Sequence, residues 1–212
     1  MKILLLGPQG SGKGTQGGML AERFNVPLIS TGPLLGDLPS DHPWKTEIET
    51  EMNAGRLPAN VKVGQILEEE LKKEKYKDGF VLDGWGRRKS DLEIFDPGLD
   101  VALLIDIPRE ESVRRLTARR TCTQCGQIFN TVFVPPKVEG VCDACGGKLI
   151  QREDDTEAAI KQRLDLYEQE TSQTIDYLES KGILVRIDGT GSPEEVSRLV
   201  LEGLKEKSLA DI

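Results

Sequence analysis

Gly7-Pro8-Gln9-Gly10-Ser11-Gly12-Lys13-Gly14-Thr15 follows an apolar run, Ile3 to Leu6, so a strand opens directly into a glycine-rich turn. Residues of these types in this order make a cradle for phosphate. Glycine lets the backbone curl until successive N–H groups point inward, the helix that follows lends its positive end to the same anion, and Lys13 reaches the terminal phosphates as a point charge. The P-loop pattern wants Ser or Thr directly after the lysine, whereas Gly14 stands there and Thr15 comes next. Four cysteines offer a second chemistry. Cys122-x-x-Cys125 and Cys142-x-x-Cys145 lie sixteen residues apart, each pair followed by glycine, which suits a tetrahedral zinc site of four thiolates. Disulfides or redox chemistry are the alternative use. With all four sulfurs bound to a metal, no coordination position stays open for catalysis, so the metal would hold a shape.

Two further groups could act on phosphate. Asp83 closes the strand Phe80-Val81-Leu82, where a P-loop enzyme needs a carboxylate to hold Mg2+ or its waters; capping the turn at Gly84 is the plainer use. Trp85-Gly86-Arg87-Arg88-Lys89 follows as a basic run at that strand's carboxyl end, where ligands of open α/β sheets bind. Arginines also flank the cysteine segment: Arg114, Arg115, Arg119 and Arg120 before it, Arg152 and Arg163 after it. Singly, each reads as a solvated helix face or an ion-pair partner. Together they read as a local phosphate clamp, using the bidentate donor geometry that arginine supplies and lysine does not.

Regular elements must position these groups. Met1 to Leu6 reads as a buried strand, Thr15 to Phe24 as an amphipathic helix, and Val26 to Ser30 as an extended run ended by Thr31-Gly32-Pro33. Helical patterns span Lys45 to Asn53 and Val61 to Lys75, the latter with apolar residues at 63, 66, 67 and 71. Val101 to Ile107 is almost wholly apolar, as strands covered on both faces are, and a helix is expected from Glu110 to about Arg120. Residues 121 to 151 lose helical periodicity and read as an inserted module. Helix resumes at Thr156, with Asp154 and Asp155 placed to cap it, and runs to Ser180. A strand from Ile183 to Ile187 and a helix from Pro193 to about Lys207 complete an α/β fold of the P-loop NTPase type, a parallel sheet flanked by helices.

At 212 residues and 37% apolar content, the chain has the size of one domain with subdomains. It carries no apolar run of membrane-spanning length, and the N-terminal apolar patch is too short for a secretory signal, so the cytoplasm is expected. A net charge of −8 argues against nucleic acid or anionic membrane as partner. The cysteine module holds only Phe129 and Phe133 as aromatics, too few for a nucleic-acid reader. The single histidine, His42, reads as a surface residue, leaving little for histidine acid–base chemistry.

The glycine loop, Ser30-Thr31-Gly32, Ala54-Gly55-Arg56-Leu57, Leu82-Asp83-Gly84, Arg119-Arg120 before the first cysteine, Pro135-Pro136-Lys137-Val138-Glu139-Gly140, Arg152 with Asp154-Asp155, Arg163 and Asp188-Gly189-Thr190 follow one another in a specific order. In that order the chain resembles the adenylate kinases of the long bacterial type with a zinc lid, within the nucleoside monophosphate kinase family. Roughly residues 1 to 205 are covered, and Gly-Lys-Gly-Thr is that family's own form of the loop. The resemblance implies a core over 1–29, 59–117 and 156–207, a monophosphate-binding arm over 30–58, a zinc-binding lid over 118–155, and a disordered tail over 208–212. It implies transfer of the ATP terminal phosphoryl group to AMP with Mg2+ bound to ATP, structural Zn2+ on Cys122, Cys125, Cys142 and Cys145, and a monomer. Carried over by position, Gly10, Ser11, Gly12, Lys13, Gly14 and Thr15 would hold the ATP phosphates, with Arg115, Arg119, Ile128, Phe129 and Gly191 about the rest of ATP. Thr31, Arg56, Leu57, Pro58, Gly84, Trp85, Gly86, Arg88 and Asp91 would line the AMP side. Arg87, Arg152 and Arg163 would clamp the monophosphate and the transferring group, and Asp83 would organise Mg2+ water.

Four departures fall on the monophosphate side. The family usually has aspartate at Pro33, a phosphate-binding arginine at Gly36, proline at Gly86 and an adenine-reading glutamine at Asp91. Arg88 and Lys89 are candidates to replace the arginine. A carboxylate at Asp91 only accepts hydrogen bonds, which fits guanine's N–H edge better than adenine; alternatively Asp91 caps a helix and touches no base. The acceptor is therefore open between AMP and another monophosphate such as GMP, and a nucleotide-binding protein with a decayed acceptor site is a further alternative.

Overall fold

The computed structural model describes residues 1–152 and 155–209. Five parallel strands, β1 (Lys2–Leu6), β2 (Leu28–Ser30), β3 (Phe80–Asp83), β4 (Val101–Asp106) and β8 (Leu184–Asp188), form one sheet in the order β2-β3-β1-β4-β8. Alternate residues point to opposite faces of a strand, so the unbroken apolar run of β1 serves both. Ile3 and Leu5 join a cluster with Val81, Leu103 and Ile105 under α1 (Lys13–Phe24) and α8 (Pro193–Glu206), through Leu20, Val196, Val200 and Leu204. Leu4 and Leu6 join Leu82, Ala102 and Leu104 under α3 (Lys45–Asn53), α4 (Asn60–Leu71) and α5 (Lys89–Ile94). Burying each such leucine or isoleucine is worth about 1.5–3 kcal/mol. Because all five strands run one way, the loops after β1, β3, β4 and β8 gather at one edge of the sheet, and β1 delivers the glycine loop to its middle.

Two helices end earlier than expected. The helix begun at residue 60 stops at Leu71 and gives way to a 3-10 turn over Glu74–Tyr76. Helix α6 (Arg109–Thr117) stops before Arg119 and Arg120, which lie on β5 (Arg119–Cys122). β5 pairs antiparallel with β6 (Ile128–Asn130) and β7 (Leu149–Ile150) as a small separate sheet. The long helix α7 (Glu157–Ser180) is capped by Thr156, whose hydroxyl accepts from Ala159 N–H, and not by Asp155. Asp154, the other expected cap, lies outside the described residues. The tail begins with order: Ser208 N–H donates to Lys205 O at 2.8 Å and Leu209 packs on the cluster beneath α8, while 210–212 lie outside the described residues. His42 is half-buried, edge-on to Trp44 at 5.5 Å between ring centroids.

Candidate active site

The loops at the strand ends and the small sheet enclose a cleft of ≈ 890 Å³. Gly10 to Thr15 form its floor. Gly12 caps α1 in a left-handed conformation, φ 95°, with no side-chain cap and no acidic residue in the first turn. By contrast, α8 starts with the Ser192–Glu195 capping box and two acidic residues. The first-turn N–H groups of α1 thus lack internal partners and carry the positive end of the helix, the arrangement that takes an anion. Lys13 Nζ folds back onto its own loop, donating to Gly7 O at 2.7 Å, Pro8 O at 2.8 Å and Ser11 Oγ at 3.4 Å.

Burial lowers the Lys13 pKa to about 8; Asp83 opposes that shift, while Arg87 and Arg119 reinforce it. Its pKa in the folded protein lies below the unfolded value, so folding releases a proton between pH 8 and 10.5, and in that window stability contributed at Lys13 rises with pH. Bound phosphate acts the other way, since it favours the charged ammonium. ATP binding near pH 8.5 therefore takes up a proton, and affinity falls as pH rises above about 8. Calorimetry in two buffers of different ionisation enthalpy reads this directly; a binding heat independent of buffer would refute it.

Arg119 on β5 places Nε and Nη2 on Asp155 Oδ2 and Oδ1, at 2.7 and 2.5 Å, and Arg163 on α7 reaches the same Oδ1 at 3.0 Å. Asp155, fully buried, thus ties a residue of the small sheet to a residue of the core, a role that its place before a helical run does not announce. Arg152 Nε donates to Thr121 Oγ1 at 3.0 Å. Arg115, on α6, donates to Thr190 O and to Glu111, and its guanidinium lies 5.4 Å from the Phe133 ring centroid. Phe133 lines the cleft beside it and went unrecognised in the sequence, because only folding brings it against Arg115. Arg114 and Arg120 do not join the expected clamp. Arg114 pairs with Glu111, Arg120 donates to Thr117 O and Arg119 O, and neither lines the cleft.

On the opposite side, Thr31 Oγ1 donates to Gly84 O at 2.9 Å. Gly84 has φ +91°, and a Cβ there would sit 2.3 Å from that hydroxyl, so only glycine lets α2 (Thr31–Gly36) approach the loop. Arg56, Leu57 and Pro58 line this half of the cleft. Arg56 pairs with Glu51 at the exposed surface, 2.7 Å from Nε to Oε2. Trp85 is a core residue, 2% exposed, with its indole N–H on Phe95 O at 3.1 Å. Among the expected nucleotide residues, Gly86 alone does not line the cleft. Its φ of +68° is closed to proline, so the loop takes a path that the family's usual residue would not allow. Asp91 is engaged as a cap: Oδ2 accepts from Arg88 N–H at 3.0 Å, and burial raises its pKa. Lys89 pairs with Glu93 outside the cleft, and Lys45 bonds the Gly36 carbonyl outside it as well, which leaves Arg88 as the added cation facing the acceptor half. Arg87 lines the cleft with its side chain exposed to it, and desolvation between the cleft walls pushes its guanidinium pKa down against the pull of Asp83 and Asp91.

The four cysteine sulfurs lie within 4.8 Å of one another, with Cys122 to Cys145 at 3.5 Å and Cys125 to Cys142 at 3.6 Å. Tetrahedral zinc at a Zn–S distance of about 2.3 Å needs sulfurs about 3.8 Å apart, so the donor set fits that ion. Gly126 and Gly146 turn each knuckle with φ 73°, and the N–H groups of Cys125 and Gln124 hold the Cys122 thiol at about 6. All four cysteines are free thiols, not disulfides.

An all-parallel sheet whose central strand feeds a lysine-bearing glycine loop, with arginines converging opposite, defines a P-loop phosphotransferase of the nucleotide kinase class. The adenylate kinase family model matches residues 5–183. The chain is 40% identical over 215 residues to an adenylate kinase of Thermodesulfovibrio yellowstonii, covering 98% of this chain and 100% of that one. It is 42% identical over 205 residues to one of Clostridium botulinum and 40% identical over 204 residues to one of Clostridium tetani, each match covering 92% of this chain and 94% of the relative. The chain belongs to the adenylate kinase family.

Proposed function

We propose that this protein transfers the terminal phosphoryl group of ATP reversibly to AMP, giving two ADP. The observation that carries the reading is the convergence of Lys13, Arg87, Arg119, Arg152 and Arg163 on one cleft whose two halves each suit a nucleotide. Charge in the transition state spreads over the transferred phosphoryl oxygens, so cations fixed in advance stabilise it and no covalent intermediate is needed. Lys13 and the α1 N-terminus hold the donor phosphates, Arg115 and Phe133 flank the donor base, and Arg87 meets the acceptor phosphate. Mg2+ held near Asp83 would neutralise the donor phosphates. Residues 118–155 act as the lid, shaped by zinc on the four cysteines, and 30–58 as the acceptor arm. Asp155 orients Arg119 and Arg163 toward each other across the lid's root. No described helix is long and apolar enough to cross a membrane. The family resemblance supports a monomer working in the cytoplasm.

Capping by Asp91 argues against its carboxylate selecting guanine. Assay of the purified protein with ATP against AMP, GMP, CMP and UMP tests the acceptor. AMP is expected to lead, and GMP turnover exceeding it by about tenfold, or 1.4 kcal/mol, would overturn the assignment. ATP binding without turnover of any monophosphate would mark a decayed acceptor site.

A further inference from the structure

Arg87 lines the cleft with its side chain exposed to it, and among the described residues no hydrogen bond or ion pair holds its guanidinium. Its direction is set through its backbone. The backbone of the segment from Gly84 to Arg88 is held by Thr31 Oγ1 on Gly84 O, by Asp91 through both Oδ2 on Arg88 N–H and its own N–H on Arg88 O, and by Thr171 Oγ1 on Arg87 O at 3.0 Å. Only the last bond falls on the arginine's own carbonyl, and it comes from α7, 84 residues away in sequence.

A threonine inside a helix ordinarily turns its hydroxyl back onto the carbonyl of the preceding turn. Thr50 does so onto Thr46 O at 2.7 Å, and Thr117 onto Val113 O at 3.0 Å. Thr171, only 2% exposed, instead directs its hydroxyl out of the helix to Arg87. It also lies eight residues beyond Arg163 and four beyond Tyr167, so the three share one stripe of α7 that faces the cleft. One stiff helix thereby carries one phosphate-facing arginine and sets the backbone of another.

We infer that Thr171 is a positioning residue for the acceptor phosphate, acting through the Arg87 carbonyl. This rests on the acceptor role assigned to Arg87 above. Thr171→Val keeps the shape and removes the donor, leaving the Arg87 carbonyl without its partner. Steady-state kinetics should show KM for AMP raised about tenfold, equivalent to 1.4 kcal/mol, with KM for ATP changed by less than about twofold. Thr171→Ser, which retains the hydroxyl, should restore the parent KM for AMP, and Thr171→Ala should behave as the valine variant. Arg87→Ala should itself raise KM for AMP, and adding Thr171→Val to it should cost nothing further, because the hydroxyl then has no guanidinium to aim.

If Arg87→Ala leaves KM for AMP unchanged, the acceptor reading of Arg87 fails and the inference falls with it. If Arg87→Ala raises it while Thr171→Val and Thr171→Ala do not, the positioning role alone is wrong. Parallel rises in both substrates' KM, failure of serine to rescue, or full additivity in the double variant would each reduce Thr171 to a packing residue and overturn the inference.

Discussion

Lys13→Met lowers kcat/KM for phosphoryl transfer by at least about 10³-fold while leaving the melting temperature at or above the parent value. The loss follows from position and charge together. Lys13 Nζ is bonded within the loop by Gly7 O and Pro8 O, so the ammonium already stands where the phosphates arrive. A preorganised charge in a water-poor cleft loses little to reorganisation, which makes its removal expensive for the transition state. Stability moves the opposite way, because burial lowers the lysine pKa to about 8 and the charged form is thus disfavoured by the fold. Methionine fills a similar volume with no charge to desolvate. Lys13→Arg does not rescue activity, since a planar fork cannot take the place of a compact ammonium between two carbonyls. A coupled assay of ADP formation beside thermal denaturation checks both halves; a variant retaining more than about a tenth of parent activity would remove Lys13 from the transition state.

Stripping the metal produces the second large effect. The purified protein is expected to hold one zinc per chain, and chelation or Cys142→Ser should melt the segment from Cys122 to Ile150. The apolar content of that module is a cluster of Cys122, Phe129, Cys142 and Leu149, far short of the core needed for independent stability. Metal coordination worth about 10–16 kcal/mol substitutes for it. Since Arg119 stands on the same short strand as Cys122, loss of the module removes a cation from the cleft, and activity should fall about 100-fold. The first thermal transition should drop by about 10 °C or more, while far-UV circular dichroism retains the helices of the main sheet. Full activity and an unchanged melting curve in metal-free protein would contradict this account, and a melting point lowered by reductant alone would favour disulfides.

Local patterns were legible in the sequence. The glycine loop, the paired cysteines, the apolar strands and the helix Lys45–Asn53 each announce themselves within a dozen residues, and the structure places them as read. Interactions between distant residues were not legible. Asp155 reads as a helix cap because aspartate before a helical run usually is one, whereas its carboxylate is shared by Arg163, eight residues on, and Arg119, 36 residues away. Arg119 and Arg120 continued a helical pattern, and only pairing with residues 128–130 makes them a strand. Thr171 sits in a polar stretch of α7 with nothing nearby to mark it, and its partner is fixed only by the packing of α7 against the loop after β3. The sequence leaves Asp91 open between base reader and cap, and the backbone at Arg88 takes its carboxylate.

The placement of Arg163, Tyr167 and Thr171 at intervals of four along α7 fixes the length of that stretch as firmly as its composition. Each residue of an α-helix advances the azimuth by about 100° and the axis by about 1.5 Å. Insertion or deletion of one residue between 163 and 171 would therefore swing Arg163 out of phase with Thr171, so no side-chain substitution could bring both back to the cleft. Seven inserted residues would nearly restore the phase but part the two by about 10.5 Å. A polar, partly exposed helix surface of this kind ordinarily tolerates changes in register, but here the count of residues is itself under constraint, and related chains that keep both contacts must keep the interval of eight.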